Sequence, residues 1–162
     1  MSTIYILDET NYVDLLQKYN DIQACVGIIV IDNYEELMQR ATEEEKLKLT
    51  SGIEKKIYAW INKYNGLAIK SERDTYVCIF SQSEMEKMRE EKFEILDEIK
   101  EIKTDENIQS TLSIAISEEG DNNLEKYQSV KAVVDIALGR GGDQAIIKQN
   151  GKNYFYGGRT QE

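Results

Sequence analysis

The sequence predicts an α/β fold, a mixed sheet with helices packed on its faces, and three observations predict it. Short β-branched apolar runs alternate with longer segments whose apolar residues recur at helical spacing. The run Ala24-Cys25-Val26-Gly27-Ile28-Ile29-Val30-Ile31 is apolar throughout, as a central strand covered on both faces requires. Two hairpin signals, a polar turn between residues 67–70 and 76–80 and Asn150-Gly151 between residues 145–147 and 154–156, add antiparallel pairs. At 162 residues, 41% of them hydrophobic, the chain is long enough for one substantial core.

Taken in order, residues 4–7 are a short strand candidate, and Asp8-Glu9-Thr10 signals the start of a helix carrying Tyr12, Leu15, Leu16 and Tyr19. The apolar run of residues 24–31 ends at Asp32-Asn33-Tyr34, where a short helix is expected. Thr42 with Glu45 three positions on forms a capping box. The helix it opens carries Leu49, Ile53, Ile57, Trp60, Ile61 and Tyr64 on one face, and Asn65-Gly66 closes it. After the first hairpin, Ser83 and Glu86 offer a second capping box, with Met85, Met88, Ile95, Ile99 and Ile102 as the stripe of the helix beyond. Leu112, Ile114 and Ile116 alternate with small residues as a strand does. A last helix over residues 123–138 is expected to bury Leu124, Tyr127, Val130, Val134 and Leu138 before the terminal hairpin.

Charge and composition narrow the function. A net charge of -10 argues against a nucleic-acid duplex as partner, because such binding needs lysine and arginine to neutralise phosphates. A single nucleotide held through a metal ion stays open. No apolar run reaches the length of a membrane span and no signal peptide is visible, so the chain as given is read as soluble. Cys25 and Cys78 each lie in an apolar strand-like run and read as reduced core thiols. The chain has no histidine, which excludes imidazole bases, histidine metal ligands and Ser-His or Cys-His pairs.

Ala137-Leu138-Gly139-Arg140-Gly141-Gly142-Asp143-Gln144-Ala145 places three glycines between a helix and a strand. A phosphate-cradling loop opens a helix, whereas this one opens a strand, so a C-terminal cap is the expected role. These nine residues, together with Ile31-Asp32-Asn33-Tyr34 and Tyr154-Phe155-Tyr156-Gly157-Gly158, resemble the GdpP (YybT) family of bacterial membrane-anchored cyclic-di-AMP phosphodiesterases. In that family they belong to a degenerate GGDEF domain. The resemblance implies the GGDEF fold, a relative of nucleotidyl-cyclase, ferredoxin-like and palm-type domains. It also implies residues 1–20 as the end of a PAS domain with a connecting helix, residues 21–158 as the GGDEF domain, and residues 159–162 as the start of a linker to a DHH domain. The family's phosphodiesterase centre is a DHH-type metal site using Mn2+ and histidines, so it is expected outside this chain, with the parent protein on the cytoplasmic face of the membrane.

The resemblance also proposes a site. The name-giving motif of active GGDEF cyclases falls at Glu72-Arg73-Asp74-Thr75-Tyr76, where charged residues replace both glycines and threonine replaces the fourth-position acid. The positions of the family's phosphate-contacting lysine and base-reading asparagine hold Leu37 and Arg40. Diguanylate cyclase activity is therefore not expected, and without an Arg-x-x-Asp motif before the turn neither is product-type binding of cyclic di-GMP. Asp32, the backbone of Asn33 and Asp74 match metal-binding positions and are the expected ligands of one Mg2+. Glu72 and Arg73 of the turn, with Arg140, are the expected nucleotide-facing residues, although Glu72 adds negative charge there. The implied partner is a purine nucleotide, ATP first, hydrolysed slowly if at all. Read from the residues alone, Asp32 is a helix cap and Asp74 a solvated turn residue; only the resemblance sets the metal-ligand reading level with that one. The other functional reading is a non-catalytic module with no nucleotide site, which forms a homodimer and relays a signal between PAS and DHH domains.

Overall fold

The computed structural model describes residues 24–157; the expected leader of residues 1–20 and linker of residues 159–162 lie outside the described residues. The chain runs β1 (Ala24–Ile31), α1 (Tyr34–Arg40), α2 (Glu43–Lys63), β2 (Leu67–Glu72), β3 (Thr75–Ser81), α3 (Gln82–Glu90), α4 (Ile95–Ile99), β4 (Leu112–Ser117), α5 (Asn123–Gly139), β5 (Gln144–Gln149) and β6 (Lys152–Gly157). One six-stranded sheet results, in the order β2-β3-β1-β4-β5-β6. Among the described strands only β4 and β5 pair in parallel, because α5 carries the chain back along the sheet between them.

The uninterrupted apolar run of β1 has the two-sided burial that it predicts. Cys25, Ile29 and Ile31 enter the larger core with α2, α3 and α4, while Val26 and Ile28 enter a second core beneath α5. The Thr42–Glu45 capping box forms in both directions, and the expected stripe of α2 is buried. Both cysteines are free thiols, and burial pushes each up to about 12, so neither ionises at neutral pH.

Three expectations are corrected. The cap of α3 is Ser81, whose Oγ accepts from the Glu84 amide, not Ser83 with Glu86. The helix beyond does not continue to Ile102: it breaks at Lys92 and Phe93, whose φ angles of 57° and 54° are left-handed. Tertiary contacts hold that break. The Phe93 ring packs 5.9 Å from Trp60 and 5.3 Å from Tyr156, and Glu94 accepts from Trp60 Nε1 at 3.0 Å. Tyr64 donates its hydroxyl to both Glu91 and Glu94. On α5 the buried stripe is Val130, Val133, Val134 and Ala137, leaving Leu124 39% and Leu138 41% exposed. The spacing of those four residues, i, i+3, i+4 and i+7, is the narrower helical face that meets the sheet.

At the start of β1, Lys126 of α5 donates to the Ala24 carbonyl at 2.7 Å. At the opposite end β1 delivers Asp32 to the rim of the sheet, between β3 and β4.

Candidate functional site

Asp32 follows β1 directly, and Asn33 turns the chain into α1 through a left-handed residue at φ 47°. Asn33 is the residue before the helix but makes no side-chain cap, and Asp32 does not cap it either. The Asp32 carboxylate turns instead toward β4 and the loop between α5 and β5. Its Oδ2 accepts from Thr111 Oγ1 at 2.8 Å and from the Asp143 amide at 2.8 Å, and its Oδ1 accepts from Ser113 Oγ at 2.6 Å. Only 8% of the residue is exposed. Burial raises its pKa above the usual aspartate value against the opposing pull of these three donors, and the nearby Asp143 charge adds to the rise.

The glycine loop explains that arrangement. Gly142 donates to the Ala137 carbonyl and Gly141 to the Leu138 carbonyl, the two bonds of a Schellman cap. Gly141 and Gly142 take φ angles of 104° and 75°. A Cβ on Gly142 would lie 2.5 Å from Asp32 Oδ2, so the glycine is required by contact as well as by conformation. Asp143, also left-handed, presents its amide to Asp32 and its carboxylate to Lys100 Nζ at 2.8 Å. The expected structural cap is therefore what this loop forms, and Asp32 is what it closes on.

The β2–β3 turn brings the other expected residues to the same rim. The Ile31 amide donates to the Asp74 carbonyl at 2.8 Å, fixing the turn beside the end of β1. The carboxylate of Asp74, half-buried, accepts from Thr75 Oγ1 at 2.9 Å. Glu72 is exposed at the end of β2, opposite Thr75 in the register. Arg73 pairs with Glu35 of α1, and its guanidinium lies 5.6 Å from the Tyr34 ring centre. Arg140 sits farther along, donating from Nε to Gln144 at 2.8 Å and lying 4.4 Å from the Phe155 ring centre.

For a cation, this rim offers one remaining lone-pair direction on Asp32, the Asn33 carbonyl, which already accepts from the Leu37 amide, and the Asp74 carboxylate. Among the described residues no group of three or more His, Cys, Asp or Glu side chains is gathered as a metal centre. Thr111, Ser113, Gly142 and Asp143, which hold Asp32, were not legible as its partners: the two hydroxyls lie 79 and 81 residues away in sequence. The glycine loop was the one visible signal.

Comparisons with known proteins agree with this architecture. Residues 29–155 match the family model described as "Cyclic-di-AMP phosphodiesterase GdpP-like, GGDEF domain". The chain is 33% identical over 158 residues to the cyclic-di-AMP phosphodiesterase PdeA of Listeria monocytogenes, covering 97% of this chain and 24% of that protein. The same identity and coverage hold for the cyclic-di-AMP phosphodiesterase GdpP of Geobacillus thermodenitrificans. The chain thus spans about a quarter of the length of these relatives. Among solved structures, the FimX GGDEF domain from Pseudomonas aeruginosa superposes with a TM-score of 0.70 at 14% identity, over 86% of this chain and 92% of that one. The GGDEF domain of DgcB from Caulobacter crescentus, solved in complex with c-di-GMP, gives 0.67 at 12% identity, over 84% and 85%. With a six-stranded mixed sheet, and matched by that family model over most of its length, the chain belongs to the GGDEF domains of GdpP-like cyclic-di-AMP phosphodiesterases.

Proposed function

We propose that this chain is the regulatory GGDEF domain of a membrane-anchored cyclic-di-AMP phosphodiesterase, standing between PAS and DHH/DHHA1 domains of a longer protein. The observation that carries the reading is the absence of histidine from a chain whose relatives, four times its span, are named for phosphodiesterase activity. A histidine-dependent metal hydrolase centre must then lie in other parts of the parent. No described helix is long and apolar enough to cross a membrane.

Within that role, the rim formed by Asp32, Asn33 and Asp74 is the place for a purine nucleotide with Mg2+, with Glu72 and Arg73 as neighbouring groups and Arg140 farther along. Mg2+ suits a site of one or two carboxylates because it keeps most of its water and takes the rest of its shell from phosphates. There it would polarise a triphosphate for attack by water. With three donors already on Asp32, the affinity is weak and hydrolysis of ATP slow, and guanylate cyclisation is not the activity. The test is steady-state ATP hydrolysis with Mg2+ on the wild type, Asp32→Asn and Asp74→Asn, each first shown to be folded. Slow turnover lost in both variants supports the site; turnover untouched by either rules it out.

The same three hydrogen bonds favour a second reading, a non-catalytic relay with no nucleotide, in which Asp32 serves the fold alone. A calorimetric titration with Mg-ATP separates the two. No heat of binding at millimolar nucleotide, together with no turnover, selects the relay.

A further inference from the structure

Arg73 projects from the β2–β3 turn, next to Asp74, whose backbone is bonded to the last residue of β1. It is not loose: its guanidinium reaches Glu35 and lies over the Tyr34 ring, both in the first turn of α1. Tyr34 is only two residues beyond Asp32, so this contact ties the turn that carries Asp74 to the helix that follows Asp32. We infer that Glu35 is a parking residue for Arg73, and that a nucleotide phosphate bound at the rim takes Arg73 over from the Glu35 carboxylate. This rests on the nucleotide reading above and adds a competitor internal to the protein.

The exchange is chemically balanced, one anion for another on a single guanidinium. A triphosphate offers more charge than a carboxylate and geometry that suits the planar donor fork. The resting pair is also cheap to open. Its side chains are 74% and 66% exposed, and exposed ion pairs shift an equilibrium by about fivefold at most. The Tyr34 ring contributes a face that Arg73 can keep during the exchange, since a cation over an aromatic ring is held without a directional hydrogen bond. Glu35 is thereby a positioning residue: it sets nucleotide affinity through Arg73 without touching the nucleotide.

The experiment is calorimetric titration of Mg-ATP into the 162-residue chain as wild type, Glu35→Gln, Arg73→Gln and the double variant. Expected is a tightening of about two- to fivefold in Glu35→Gln, a weakening in Arg73→Gln, and no tightening when Glu35→Gln is added to Arg73→Gln. Loss of a nearby negative charge would by itself tighten binding, and that effect would persist in the double variant; its persistence there overturns the parking role. An unchanged or weaker Glu35→Gln overturns it as well while leaving the nucleotide site standing. Failure of all four proteins to bind overturns both the site and the exchange. Both positions are exposed, so matching thermal midpoints confirm that the variants fold.

Discussion

Asp32 and Asp74 share one rim and one expected role, yet the fold loads them very differently. Asp32 is buried, accepts three hydrogen bonds from distant parts of the chain, and is pressed against Gly142. Asp74 is half-buried and accepts one, from the residue that follows it. A carboxylate can be a ligand or a structural acceptor, and the number of protein donors already on it decides how much is left for a ligand. By that measure Asp32 works chiefly for the fold, and Asp74 has capacity to spare.

The comparison breaks most readily at Gly142. Gly142→Ala places a methyl 2.5 Å from the Asp32 carboxylate at a left-handed φ, and should destabilise the chain by about 3–4 kcal/mol in urea unfolding. A loss under about 1 kcal/mol would mean that the loop yields and Asp32 is not clamped. Next in size is Asp32→Ala, which strands the buried Ser113 hydroxyl and the Asp143 amide and should cost about 2–3 kcal/mol. Asp32→Asn keeps an acceptor oxygen and should cost roughly half as much.

The titration of Asp32 sharpens the contrast on the acid side. Its carboxyl in the native chain titrates above the ordinary aspartate value, chiefly through burial. In the window between the ordinary and the raised value, the native state keeps a proton that the unfolded chain has lost. Stability therefore falls as pH rises through that window, and the fall is complete above the raised value. Urea midpoints of the wild type and Asp32→Asn across mildly acidic pH should show this term in the first protein and not in the second. Smallest of all is Asp74→Asn, expected to change stability by less than about 0.5 kcal/mol even where it abolishes nucleotide turnover.

What could be read in the sequence follows the range of the interactions. The unbroken apolar run of β1, the Thr42–Glu45 box and the Asn150–Gly151 turn are set by neighbours a few residues apart, and each forms as expected. The break at Lys92 and Phe93 was hidden because Trp60, Tyr64 and Tyr156 hold it from other elements against helical continuation. Ser81 displaced Ser83 as a cap because the helix begins at Gln82, directly after β3, with no loop between them. Leu124 and Leu138 are exposed because α5 meets the sheet along a stripe of small branched residues rather than its largest ones. At the rim, residue types pointed to Asp32 and Asp74 as a pair, but only the packing of Thr111, Ser113 and Gly142 separates their roles.

The bond from Lys126 to the Ala24 carbonyl has a mechanical consequence. Chain entering the domain at Ala24 is grasped at once by β1 and by the first turns of α5. Both elements run the length of the sheet and meet again where Asp32 receives the Asp143 amide. A strand and a helix pinned to each other at both ends form a closed frame, stiff against stretching and shear. Ala24 and Asp32, the two ends of that frame, are therefore held apart by the strand and by the helix alike.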